Sequence, residues 1–400
     1  MNVPFLSRTK RYFAMTGDVS GAVLAELVPG ARREPILRIL ASSRKTTITY
    51  QADLQKLLAP VPGPLKGNVA VALPLSLFTT RNITLPIMPR EAIGQALPYH
   101  LAKVSDQPLQ DLIYDWQITH FEKNNLKLTV YLFSASTFKM MRQELAVKQL
   151  ELAYLECDVF AACALLERQD RLSAEDASLC ILLWSDSISM AIYEKGKLTV
   201  VRSLPLGQPE TPYSAEELAV ELEMPAAAVA ETEPAADEEK PAGELPPEPP
   251  PKPDASYIDY DETVSILASF DIVHGGYVKD AAAQNEAAAL PKSFELVSAP
   301  PPEPKPEPEP ASGPLSSWVD YLNQINLEAV RTRDYYKSVV KGAPVRQIFV
   351  GGADEFLDDL RALVHGATDI KIEPLSLTDY RGGDCPPSFG AICAGTGARW

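Results

Sequence analysis

Residues 209–314 hold 20 prolines, 23 acidic side chains and 5 lysines, with no arginine. A stretch this rich in proline and charge cannot bury enough apolar surface to offset the entropy of ordering it. Strings such as PAAAVAETEPAADEEKPAGELPPEPPPKP are expected to stay disordered or polyproline-like. The folded protein must therefore be built from two separated pieces that meet around an insert. Within the insert, 256–273 (SYIDYDETVSILASFDIV) mixes Tyr, Ile, Val, Leu and Phe with acids. It reads either as a segment packing back on the globule or as a docking motif on a flexible arm.

The insert carries a net charge of −18 against −16 for the whole chain, so the rest is close to neutral. A general nucleic-acid binder needs a basic surface to replace counterions, and none is present. The acidic arm instead calls for a basic partner. Five cysteines (Cys157, Cys163, Cys180, Cys385, Cys393) form no C-x-x-C pair, and four scattered histidines complete no metal-like spacing. Buried free thiols and no metal site are expected. No N-terminal apolar h-region and no run of 18 apolar residues occurs, so the expected location is the cytoplasm, without a membrane span of the chain's own.

Two segments look alike. Residues 11–42 read as strand, turn at Gly17–Gly21, strand, turn and strand, and 178–207 repeat that plan with a polar turn between the first two strands. They begin about 165 residues apart, which points to an internal duplication. Between them come strands at 68–74 and 77–86. Pro89 opens a helix with Ile93, Leu97 and Leu101 on one face, with Pro98 expected to kink it. A strand pair follows around a turn at Lys123–Asn125, then a helix capped by Ser136 or Thr137 and bearing Phe138, Met141 and Leu145. A short strand (152–156) and a helix over Asp158–Arg168 end this half. After the insert, Ser317 and Asp320 form a capping box for a helix with Trp318, Leu322, Ile325, Ala329 and Val330 inward. A strand, the Gly351–Gly352 turn, a helix, a further strand and a helix of small residues close the chain. The expected fold is a two-lobed, duplicated α/β fold with mixed sheets. Its parts are a first lobe over 1–170, the start of a second over 171–208, the insert over 209–314 and the remainder of the second lobe over 315–400.

The order of elements and five local strings resemble PilM, the actin-like cytoplasmic protein of type IV pilus assembly. The fullest string is VALPLSLFTTRNITLPIMPREAIGQALPYHLAK…PLQDLIYDWQI (71–118). It contains Leu85–Pro86, Met88–Pro89, Pro108–Leu109, Asp111, Asp115 and Gln117 at the family's motif positions. The helix start at Asp158, the strand ending in Arg202, Ser203 and Pro205, and Gly351–Gly352 follow in order. The cytoplasmic part of the type II secretion protein GspL is similar in the same way.

The resemblance implies ATP bound between two lobes, with phosphates on the two hairpin turns and adenosine near a Gly-Gly turn. Asp18, Ser20, Gly21, Gly351 and Gly352 are the candidate cofactor-binding residues. The motif is nevertheless degenerate. The first hairpin places Thr16, Asp18 and Val23 where the family has Asp, Gly and Lys; the second places Leu182 and Trp184 where it has Asp and Gly. Leu cannot hold a metal, and an indole fills a phosphate cradle. No catalytic residue is assigned and no cofactor is expected.

The function implied is a cytoplasmic scaffold, peripheral at the inner membrane, in the assembly platform of a type IV pilus or type II-like secretion system. Its partner is the N-terminal peptide of a PilN-like bitopic protein, lying in a groove of the first lobe. Arg81, Asn82, Tyr99, Asp115 and Trp116 are the candidate partner-binding residues. The competing expectation is an actin-like ATPase, ATP-gated switch or filament former, using ATP and magnesium at 16–21, 183–189 and 351–353.

Overall fold

Both meanders form, and each starts a sheet. In the computed structural model the described residues are 11–28, 36–122, 124–195, 197–209, 211–214, 317–352, 355–368, 370–377, 380–381 and 385–397. All belong to one compact unit. Residues 1–10, nearly all of the acidic insert and the 256–273 motif lie outside them.

Strands β1 (Arg11–Gly17), β2 (Gly21–Val28) and β3 (Ile36–Arg44) pair antiparallel. Helix α1 (Gln51–Leu58) leads to β4 (Gly67–Leu73), which returns parallel to β1. A separate three-stranded unit follows, made of β5 (Thr79–Pro86), α2 (Arg90–Val104), β6 (Leu112–Glu122) and β7 (Asn125–Ser134). Helix α3 (Ala135–Val147), β8 (Leu150–Cys157) parallel to β4, and α4 (Asp158–Arg168) finish the first half. The second half opens with antiparallel β9 (Ala177–Leu183), β10 (Ile188–Glu194) and β11 (Lys197–Leu204). Beyond the insert come α5 (Trp318–Tyr335), β12 (Val345–Gly351), α6 (Leu357–Thr368) and β13 (Lys371–Pro374), both strands joining in parallel. The chain ends with β14 (Tyr380–Arg381) and α7 (Pro387–Gly397).

The duplication is explicit in the topology. One sheet runs β3-β2-β1-β4-β8 and the other β11-β10-β9-β12-β13, with β14 added beside β3. In both, the first three strands are antiparallel and the last two parallel to the first. Chain order alone would leave 315–400 with the second sheet, yet β14 pairs with β3 and α7 packs on β1, β2, β3 and β4. The reason is composition. Every residue of α7 from Phe389 to Gly397 is buried, and a helix apolar all round needs cover on every side.

That cover is α4. The two helices lie together between the sheets, in a core that takes Ala14, Ala25 and Ala72 from the first sheet and Cys180, Ala191 and Phe349 from the second. Contact is close: a Cβ on Gly395 would lie 1.9 Å from the Ala161 carbonyl oxygen. On its other face the first sheet packs Phe13, Met15, Val69 and Val71 against Leu54 and Leu57 of α1 and Met141 and Leu145 of α3.

Helix starts follow side-chain caps, with one correction. The cap of α3 is Ser134, not Ser136 or Thr137, because β7 runs straight into the helix and the Ser134 hydroxyl accepts the Thr137 N–H at 3.3 Å. Ser317 caps α5 by accepting the Asp320 N–H at 3.1 Å. The inward face of α5 is carried by Tyr321, Leu322, Ile325, Ala329 and Thr332, while Trp318 and Val330 stay half-buried. Helix α2 continues through Pro98 to Val104.

Substituting Gly395→Ala should push α7 away from α4. The expected result in urea denaturation is a loss of about 1–3 kcal/mol, the usual cost of overpacking a core.

Candidate functional site

The residues expected to hold phosphate do come together, at the meeting of the two hairpin turns. Turn 18–20 joins β1 to β2, and turn 184–187 joins β9 to β10. The Asp18 carboxylate lies between them. Its Oδ1 accepts the N–H groups of Ser20 at 2.8 Å and Gly21 at 3.2 Å, and the Ser20 hydroxyl at 2.6 Å. Its Oδ2 accepts the Ser185 N–H at 2.8 Å and the Ser185 hydroxyl at 2.7 Å. Beside this contact the Ser76 and Ser187 hydroxyls are 2.9 Å apart, and the Ser189 hydroxyl accepts the Leu75 N–H at 3.3 Å.

Trp184 follows β9 at the start of the second turn and points into the core. It is buried and tilted against Phe389 with ring centroids 5.5 Å apart, and its indole N–H donates to Asp158 Oδ2 at 2.5 Å. Asp158, the first residue of α4, is fully buried. Burial pushes its carboxyl up to about 6, opposed by hydrogen bonds from Ser189, Trp184 and the Val159 and Leu75 backbone.

Gly351 and Gly352 end β12 against the same turn. Gly352 has φ +84°, and a Cβ there would lie 2.1 Å from the Leu183 carbonyl oxygen. Gly351 faces Leu182 and Leu375. Glycine is thus required here by the close approach of β12 to the end of β9. These residues do not fit a bound nucleotide: the Ser20, Gly21 and Ser185 N–H groups are spent on the Asp18 carboxylate, whose negative charge would repel a phosphate, and Leu182 offers no metal ligand. The hydroxyl of buried Thr16, unpaired among the described residues, is too weak a ligand to alter that.

A second concavity lies where the small sheet (order β5-β7-β6) meets the first sheet. Strand alternation divides the small sheet's faces. Leu112, Tyr114, Trp116 and Ile118 of β6, with Leu126, Leu128, Val130 and Leu132 of β7, pack on Ile93, Leu97 and Leu101 of α2. The opposite face turns Ile113, Asp115, Gln117, Tyr131 and Phe133 toward β8 and the start of α4. The groove so formed is closed by Phe78, Leu155, Glu156, Cys157 and Phe160. Tyr131 and Phe160 meet edge to face at 5.2 Å, and the Phe78 and Phe133 rings are 5.1 Å apart.

Asp115 and Tyr131 each bring a buried oxygen without a hydrogen-bond partner among the described residues to this mostly apolar groove. Asp115 and Tyr131 stand opposite each other on β6 and β7. Asp115 Oδ1 accepts the Trp116 N–H at 2.8 Å, but Oδ2 is buried without a hydrogen bond, as is the Tyr131 hydroxyl. Burial raises the Asp115 carboxyl to about 6, against the pull of the Trp116 N–H and the Arg90 charge. Burial also pushes the Tyr131 phenol and the Cys157 thiol far up.

Of the five candidate partner-binding residues, Asp115 turns its side chain into this groove, while Trp116 borders it through strand β6 and turns its ring to the α2 face. Trp116 is held under the Arg90 guanidinium, 5.0 Å from the ring centroid. Arg81 instead ties β5 to the end of α2, pairing with Asp106 at 2.7 Å and donating to the Val104 carbonyl at 3.1 Å. Asn82 is exposed and accepts from Thr129 at 3.0 Å, and Tyr99 is exposed on α2. Tyr131, Cys157 and Phe160 were not among the expected site residues. The outward alternation of Tyr131 and Phe133 was visible, but not which strand they would face.

No protein family and no curated protein matches the sequence. Among solved structures, a chain of the PilM–PilN type IV pilus biogenesis complex superposes with a TM-score of 0.56 at 14% identity, covering 97% of this chain and 98% of that one. The cytoplasmic domain of EpsL, an inner-membrane component of the type II secretion system of Vibrio cholerae, matches with a TM-score of 0.34 at 14% identity, over 49% of this chain and 71% of that one. MreB 5 of Spiroplasma citri bound to AMPPNP matches with 0.36 at 10% identity, over 98% and 96%. The last two are too distant to argue from. The first covers nearly the whole of both chains, so this chain shares that chain's fold, here a duplicated α/β fold of the actin-like kind with two mixed sheets.

Proposed function

We propose that this protein is a scaffold that binds a short peptide of a partner in the groove between β6–β7 and β8–α4. The partner is a PilN-like bitopic protein, and the setting is the inner-membrane assembly platform of a type IV pilus or type II-like secretion machine. The observation that carries the reading is that Asp115 Oδ2 and the Tyr131 hydroxyl are buried without hydrogen bonds among the described residues, in a groove whose other polar side chains are Gln117 and Glu156. Leaving a buried acceptor unpaired costs about 1–3 kcal/mol. A peptide supplying a donor to Asp115 recovers that cost and gains the apolar contacts of Phe78, Phe133 and Phe160. No helix among the described residues is long and apolar enough to cross a membrane. On this reading, attachment to the membrane comes through the partner.

The test is fluorescence anisotropy with a labelled N-terminal cytoplasmic peptide of a PilN-like protein. Saturable binding to the full chain is expected. Asp115→Asn replaces the groove-facing acceptor by a donor while keeping the Trp116 contact, and should weaken binding about 10–100-fold. Phe160→Ala should weaken it too. Unchanged affinity in both variants would remove the groove as the site.

The pH dependence has a definite sign. A donor favours ionised Asp115, so binding should weaken as pH falls through about 6, and this dependence should vanish in Asp115→Asn. Glu156, Cys157, Tyr131 and Arg90 also face or flank the groove, and the variant separates Asp115 from them.

The stability of the free protein moves oppositely. The folded carboxyl titrates at about 6, above its ordinary value of 3.8, so the native state binds the proton more tightly. Asp115 therefore lowers stability increasingly from pH 3.8 to 6 and fully above that. Asp115→Asn should melt higher than wild type at pH 8, and that gain should disappear at pH 4.

A further inference from the structure

The five hydrogen bonds on Asp18 have a consequence separate from the peptide groove. A carboxylate that accepts two N–H groups from its own turn, a third N–H from a turn in the other half, and two hydroxyls is coordinated as a bound anion would be. Asp18 is only 4% exposed, so these bonds are formed out of bulk water and are worth more than at the surface. They span 167 residues of sequence and join the first turn of one sheet to the first turn of the other.

We propose that Asp18 is a built-in anionic clasp. It occupies the anion seat between the two hairpin turns and holds the two halves together without a nucleotide. Trp184 adds a second tie by bonding turn 184–187 to Asp158. Closure of this fold is then constitutive. A free phosphate would have to displace a covalently attached carboxylate and would meet Asp186 beside it. The clasp also disfavours the ATP-gated reading, because the groups that would sense a phosphate are saturated by the chain itself.

The test is amide hydrogen exchange on the full-length protein, with inorganic phosphate and MgATP as probes at matched ionic strength. In wild type, the Ser185 and Gly21 amides should be protected without any ligand, and neither probe should change them. Asp18→Asn should speed their exchange at least tenfold. In Asp18→Ala the emptied seat should take inorganic phosphate, which should restore protection in that variant alone. Added protection of wild type by MgATP would overturn the proposal. So would unprotected Ser185 in wild type, unchanged rates in Asp18→Asn, or failure of phosphate to restore Asp18→Ala. If neither variant folds, the wild-type arms decide: ligand-free protection unmoved by MgATP supports the clasp, and nucleotide-dependent protection rejects it.

Discussion

A single buried carboxylate, Asp158, is the point on which the two halves of this protein converge. It starts α4, where the free N–H groups of the first turn favour negative charge. Trp184 and Ser189 reach it from the second sheet, and the Leu75 backbone reaches it from the first. An unpaired charge at this depth would be prohibitively costly, so each of these contacts is obligatory once the helix is in place. The geometry of α4 follows from them, and α4 in turn supports α7, both sheets and one wall of the groove.

The cleft and the groove are therefore linked through one short stretch of chain. Cys157 and Phe160 face the groove, while Asp158 between them faces Trp184. Gln117 adds a second link, donating from the groove strand β6 to the Leu198 carbonyl of β11 at 3.2 Å. A rotation of one half against the other would pull on Asp158 and Gln117 at once and change the groove's width. If the proposed clasp fixes the halves, it also fixes the width of the proposed peptide groove, which would lower the ordering cost of binding there.

Much of this architecture was legible in the residues. The repeated meanders at 11–42 and 178–207 announced the duplication, and Asp158–Arg168 was read to its bounds, because hydrophobic period and turn residues agree locally there. The crossing of α7 to the first sheet was not legible, since nothing local says which of two sheets an all-apolar helix will cover. The degenerate hairpins were visible as Leu182, Trp184 and Thr16, but their replacement by an internal hydrogen-bond network was not. Asp18 and Ser185 meet only through tertiary folding, and a Ser in a turn carries no mark of its partner. The groove was half legible for the same kind of reason. Asp115 and Trp116 lie in a family-like string, while Tyr131 and Phe160 come from elements whose facing depends on strand pairing.

Three aspartates now sit at interfaces between elements, and their different states locate function. Asp18 has all its accepting capacity met by the chain, and Asp158 has a donor on each side. Both are explained by the fold alone, as parts of its closure. Asp115 is held by a single backbone N–H, with its second oxygen buried and without a hydrogen bond among the described residues. A fold that supplies Ser185 to one carboxylate and an indole to another has left this one open, beside an equally unpaired tyrosine. Apolar replacement would stabilise the free protein, so the free protein's stability does not account for this arrangement. A donor arriving from outside would remove that cost, which is the condition the proposed peptide complex would meet.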